Sequence, residues 1–172
     1  MRFGSLEILA PQQFDEPWNE ASVLGSAVWL WMHSAAHRDA PLHTLSALLL
    51  PAIKQRQFML ASEQGRPVFY MSWMNLSAEA EQRYLHNPPV CMPEADWNSG
   101  ERLWISDWVA PFGHTRQLSK VVLGRLWTQR IGRHLGHRGN ERGLSIKTWQ
   151  GIGVLPAEAR AWFATHPLLQ RS

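Results

Sequence analysis

Residues 57–73 read Q-F-M-L-A-S-E-Q-G-R-P-V-F-Y-M-S-W, and this stretch decides the fold class. Two apolar runs rich in strand formers, 57–62 and 67–73, flank the short polar linker Glu63-Gln64-Gly65-Arg66, so the pair predicts an antiparallel hairpin. Upstream, 44–60 is apolar but holds Pro51, which predicts a break there into a helix and a strand. Further upstream, Leu24, Ala27, Val28 and Trp31 recur at i, i+3, i+4 and i+7, one apolar stripe of a helix over 22–36, and Pro41 ends any continuation. Downstream, Ser77 followed by Glu79 and Glu81 places a cap and two acids at the start of a short helix that runs to about Asn87. Pro88, Pro89, Pro93, Asn98 and Gly100 predict a long exposed loop over 87–101. Residues 102–110, R-L-W-I-S-D-W-V-A, have strand composition and stop at Pro111. Leu118, Val121, Val122 and Leu126 then mark the inner face of a helix over about 117–135, with Gly136 as its stop. A strand at 144–149 and a helix opening at Pro156 complete the chain. Strands and helices mixed in 172 residues predict an α/β (α+β) fold in a single domain spanning 1–172.

With 45% hydrophobic residues the chain is able to bury a core without disulfides or metal, and its one cysteine, Cys91, excludes an internal disulfide framework. An early acid, Glu7, stands where a secretory signal needs an unbroken apolar run, and His33, Pro51 and Lys54 interrupt every apolar stretch short of the ~20 residues of a membrane span. A cytoplasmic protein with no integral membrane segment is expected. The net charge of +3 conceals an asymmetry: residues 1–101 carry six Lys or Arg against eleven Asp or Glu, whereas 116–147 carry eight basic residues against Glu141 alone. That field steers an acidic partner, whether nucleic acid, anionic membrane or an acidic protein, or serves only as a solvated face. No helix-turn-helix or RNA-binding motif accompanies it, which leaves a nonenzymatic nucleic-acid- or protein-binding module as the alternative function rather than the leading one.

The residues able to carry chemistry are few. Ten tryptophans suggest core packing or an aromatic pocket, and walls built of Trp29, Trp31, Trp73, Trp104 and Trp108 would suit a fatty acyl chain. His33 and His37 have the i, i+4 spacing that sets both on one helical face, with His43 nearby. No H-E-x-x-H or C-x-x-C accompanies them, so no metal is expected and a general base is the better reading than a metal ligand; a lone histidine here would be read as one held by hydrogen bonds in a helix-end turn. Asp107 lies in an apolar strand, where a charge needs a partner unless it faces outward; alternation leaves both open. The turn Phe112-Gly113-His114-Thr115-Arg116, between a strand and a basic helix, suits a phosphate. Cys91 lacks activating neighbours.

Five ordered strings carry a family resemblance: W-L-W-M-H-S-A-A-H-R at 29–38, L-P-A-I at 50–53, P-V-F-Y-M-S-W at 67–73, W-N-S-G-E-R-L-W at 97–104 and D-W-V-A-P-F-G at 107–113. Together they resemble the toxin-activating lysine acyltransferases of Gram-negative bacteria that mature RTX hemolysins and cyclolysins, over a core of about 24–151. The resemblance implies a GNAT-like fold, a mixed sheet flanked by helices. It implies acyl carrier protein, carrying a 4'-phosphopantetheine thioester, as donor co-substrate with no bound cofactor, internal lysines of an RTX protoxin as acceptor, a homodimer and no nucleic acid. It also implies that His37 is catalytic with Asp107 as its acidic partner, and that Ser34 supports them by hydrogen bonding. Gly113, Arg116 and Lys120 are the expected binders of the acyl carrier and its phosphopantetheine. Leu48 stands where many members carry asparagine, and the chain beyond about 151 departs from the pattern.

Overall fold

In the computed structural model, which describes residues 1–137 and 144–168, the 57–73 stretch forms the middle of a seven-stranded sheet. Phe58–Glu63 (β3) and Arg66–Leu76 (β4) pair antiparallel, with Glu63 opposite Arg66. The two turn residues, Gln64 (φ 51°) and Gly65 (φ 77°), both take the left-handed conformation, which matches the twist of the flanking strands. Arg2–Phe3 (β1), Leu6–Leu9 (β2), β3, β4, Arg102–Val109 (β5), Ile131–His137 (β6) and Leu144–Gln150 (β7) lie across the sheet in chain order. Every neighbouring pair is antiparallel except β5 and β6. A parallel pair needs a crossover, and Thr115–Val121 (α5) followed by a π turn at Val122–Leu126 supplies it.

β4 is buried on both faces, as a central strand covered by helices must be. Phe69, Met71 and Trp73 point to the face covered by Leu118, Val121 and Val122, while Tyr70, Met74 and Leu76 point the other way. That second face is covered by Glu20–Met32 (α1), Leu50–Lys54 (α3) and Ala78–His86 (α4). The α+β fold with a mixed, helix-flanked sheet agrees with the sequence.

Four elements differ from expectation. The first helix ends at Met32 rather than 36: His33 N–H bonds Leu30 and Ser34 N–H bonds Trp31, a tightening that closes the helix, and a separate turn follows in which Ser34 O accepts from His37 and Arg38. Its buried stripe is Val23, Ala27, Leu30 and Trp31. Pro51 sits within the first turn of α3, where its missing N–H has no partner to lose, so the chain breaks at Leu49, between Leu45–Leu48 (α2) and α3. The 87–101 segment is only partly a surface loop, because Met92, Asp96 and Trp97 are buried. The helix expected over 117–135 stops at Leu126, and 131–137 is strand. Gly132 and Gly136 weaken a helix, and pairing with β5 and β7 completes both sides of this strand.

That last change relocates a charge. Arg133, expected on or near a basic helix, is 3% exposed. Its guanidinium donates to Glu81 Oε1 at 2.9 Å and to the carbonyl of His166, while Arg102 donates to Glu81 Oε2 at 2.6 Å and Trp104 Nε1 to Oε1 at 2.8 Å. One buried carboxylate thus ties α4, β5 and β6 together. Glu81→Ala is expected to lower stability by about 3 kcal/mol, because it strands two buried guanidinium groups; thermal unfolding should show a Tm drop on the order of 10 °C. A shift within a degree of the parent contradicts this.

Candidate active site

β5 and β6 pair only through Trp104–Arg133 and Ile105–His134, then part. Beyond Ile105 the sheet opens as a wedge, and a cavity of about 500 Å³ fills it. Within the wedge β5 carries a bulge: Ser72 lies opposite Asp107 and Trp73 opposite Ile105, which leaves Ser106 as the extra residue. Such a bulge re-aims the side chains beside it. Before it, Leu103 and Ile105 face α5; after it, Asp107 faces α1 and the turn that follows α1.

Asp107, 10% exposed, is therefore the buried and partnered acid rather than an outward one. Its Oδ2 accepts from Trp31 Nε1 at 2.7 Å, and Oδ1 lies 3.1 Å from His37 Nε2. The other ring nitrogen, His37 Nδ1, is 2.7 Å from Ser34 Oγ. A carboxylate only accepts, so the proton of neutral His37 sits on Nε2; Nδ1 is then the bare nitrogen and Ser34 Oγ–H donates to it. The His37 ring also packs on Trp31, with centroids 4.9 Å apart. The turn that ends α1 brings Ser34 and His37 together locally, and the bulge on β5 delivers Asp107 from 70 residues away. The three residues form a hydroxyl, imidazole and carboxylate chain able to take a proton at Ser34 and hold the resulting charge beside Asp107.

His33 is not part of it. Because the helix ends at Met32, His33 and His37 share no helical face, and His33 Nδ1 contacts the carbonyl of Trp29 at 2.8 Å. Tyr70 and Tyr84 are buried, and burial together with the negative charge of Asp107 raises both phenols, so neither ionises near neutrality. His134, unremarked in the sequence, lines the wedge opposite the bulge. Burial, and then the Lys147 ammonium, depress its pKa and keep it neutral. Its pairing with Ile105 is a long-range contact that no local pattern signals.

Gly113, Arg116 and Lys120 come together, but not in the wedge. They line a separate open groove of about 720 Å³ with Arg125, whereas Thr115 and Ser119 on the same helix line the wedge. Gly113 holds φ +86°, a conformation that favours glycine. Of the basic residues grouped with this helix, Arg116, Lys120, Arg125 and Arg130 are exposed and Arg133 is not; Arg138 and Arg142 lie outside the described residues. Of the tryptophans expected around an acyl pocket, Trp108 borders the wedge and Trp31 a smaller hollow beside it, Trp73 and Trp104 are core, and Trp29 contacts Phe112 and Arg66. Cys91 is exposed. Among the described residues no helix is long and apolar enough to cross a membrane.

Residues 16–150 match the model of the RTX toxin acyltransferase family. The leukotoxin-activating lysine-acyltransferase LktC serotype A11 of Mannheimia haemolytica is 42% identical over 146 residues, 84% of this chain and 86% of that protein. LktC of a Pasteurella haemolytica-like species, strain 5943B, is 44% identical over 101 residues, 59% of this chain and 61% of its own. The protein-lysine myristoyltransferase RtxC of Kingella kingae is 41% identical over 99 residues, 58% of this chain and 59% of its own. In the last two the match spans less than two thirds of the relative's length. With a family model matched over most of its length, the chain belongs to the RTX toxin acyltransferase family.

Proposed function

We propose that this protein transfers a fatty acyl group from the phosphopantetheine thioester of an acyl carrier protein to internal lysines of an RTX protoxin, with His37 as base, Asp107 as its orienting acid and Ser34 as the hydroxyl between His37 and the amine. The observation that carries the reading is the Ser34–His37–Asp107 chain at the wall of an open wedge, in a chain whose relatives are lysine acyltransferases. A lysine ammonium, with a pKa near ~10.4, has no lone pair to offer a thioester until it loses a proton. On this reading Nζ gives that proton to Ser34 Oγ as Oγ gives its own to His37 Nδ1, and Asp107 stabilises the imidazolium. Nζ then bonds to the carbonyl carbon, the C–S bond breaks with its electron pair on sulfur, and the thiol leaves with the second proton that Nζ sheds in becoming an amide, while the first passes from the His37 imidazolium to water. The neutral ring of His134 at the wedge puts no competing positive charge beside the entering amine.

The carrier belongs to the same proposal, as do a homodimer and a cytoplasmic location. Arg116, Lys120 and Arg125 surround one groove beside the wedge, a place for an acidic carrier and the phosphate of its arm. Exposed charges act weakly one at a time, so the informative variant replaces all three by glutamine. It is expected to raise the KM for acyl carrier protein on the order of tenfold at low salt, with the effect shrinking as salt rises and little change toward a short acyl-pantetheine donor. Equal loss with both donors means that the groove serves the fold or the toxin instead. Tight DNA binding by the native protein favours the nucleic-acid module. The reaction itself is tested by incubating the purified protein with acyl-loaded carrier and protoxin: the toxin mass should rise by whole acyl increments, and an unchanged mass opposes the proposal.

A further inference from the structure

The His37–Asp107 pair stands between two cavities of different character. The wedge on one side carries Ser34, Thr115, Ser119 and His134 among its walls and opens toward α5. On the other side, toward α2 and α4, lies a hollow of about 160 Å³. Its walls away from the pair are Trp31, Leu48, Met74, Tyr84, Pro89, Met92 and Trp97, apolar but for the Tyr84 hydroxyl and the indole N–H of Trp97. His37, Ser106 and Asp107 border both spaces, so the bulge on β5 is where one meets the other.

We propose that this hollow receives the hydrocarbon chain of the acyl donor, and that Leu48 and Met92 set how much of the chain it holds. The inference rests on the acyl-transfer reading of the site. The carbon attacked by the lysine has to lie beside Ser34 and His37, and the first methylenes are bonded to that carbon, so the chain begins at the junction of the two spaces. The amide-bearing arm on the sulfur side needs hydrogen-bonding groups, which the wedge offers at Ser34, Thr115, Ser119 and His134 between apolar walls such as Trp108, Leu123 and Trp149; the chain needs mainly apolar walls, which the hollow has beyond Ser106 and Asp107. Each methylene moved from water into an apolar wall contributes favourably, whereas the same chain along the wedge would cover hydroxyl and imidazole groups that lose water and gain no partner. Leu48 and Met92 come from separate elements, α2 and the segment after the 3₁₀ turn Pro89–Cys91. Met92 is 6% exposed and Trp97 3%, so the 87–101 segment packs down as a wall of the hollow. An unbranched thioether side chain at position 92 adapts to chains of different length more readily than a ring would.

The test separates binding from turnover. A homologous series of S-alkyl pantetheine thioethers, which carry no reactive carbonyl, is titrated into the intact protein by calorimetry. Affinity should rise about fourfold per added methylene until the hollow is full and then level off. Leu48→Trp should move that limit to shorter chains and Met92→Ala to longer ones, each judged only after thermal unfolding shows a folded variant. A competition of mixed acyl-carrier thioesters, read by mass spectrometry of the acylated toxin, should shift in the same two directions. A limit that stays put in both folded variants, or affinity indifferent to chain length, overturns the inference. A movable limit in a protein that acylates nothing supports the chain site and sinks the acyl-transfer proposal, so the two fail separately.

Discussion

Replacing His37 by alanine is expected to lower acyl transfer by about a thousandfold or more while leaving the protein folded. The side chain is 25% exposed and sits in a turn outside the core, so its removal opens no closed cavity, and the stability change should be small. What disappears is the ring that links the Ser34 hydroxyl to the Asp107 carboxylate. Without it the Ser34 hydroxyl has no imidazole to pass its proton to, and the remaining rate comes from binding the two substrates near one another. Initial rates at saturating donor, together with unfolding curves for parent and variant, make the measurement. A well-folded variant within tenfold of the parent rate contradicts a base role for this histidine.

Asp107→Asn tests the other half of the pair with almost no change of shape. With its oxygen on Trp31 Nε1, the amide turns its nitrogen toward the two groups that had donated to Oδ1, the Trp108 N–H and His37 Nε2. A donor now faces a nitrogen that carried the proton, and the ring answers by moving that proton to Nδ1, the nitrogen beside Ser34. The base is lost through the wrong tautomer and the imidazolium loses its counter-charge, a combination expected to lower kcat by roughly a thousandfold to ten-thousandfold with the KM of either substrate little altered. Unchanged turnover would make Asp107 an anchor for Trp31 and nothing more.

The parts of the fold visible in the sequence are those set by neighbours. The hairpin at 57–73 has its turn chemistry within the linker, and the helix after Ser77 has its cap: Ser77 Oγ accepts from the N–H of Ala80 at 3.1 Å. The strand at 131–137 is the opposite case. Helical spacing through Leu126 runs into a segment whose state is decided by β5 and β7, both distant in the chain. Arg133 was indistinguishable by composition from the exposed cations near it, because the acid that buries it is on α4. Ser34 and His37 lie three residues apart and meet in a local turn, so their association was open to a sequence reading. The side chosen by Asp107 was not: strand alternation predicts one face, and the extra residue at Ser106 resets it. Leu48 shows the same limit at the level of the cavity, for a departure from the family pattern turns out to be a wall of the hollow beside the His37–Asp107 pair.

Mass spectrometry of an RTX protoxin coexpressed with this protein tests the central claim most directly. The account predicts fatty acyl groups in amide linkage on internal lysines when the parent chain is present, and none when it is replaced by folded His37→Ala. Unmodified lysines in the presence of abundant, folded parent protein, or equal modification by the variant, would contradict it.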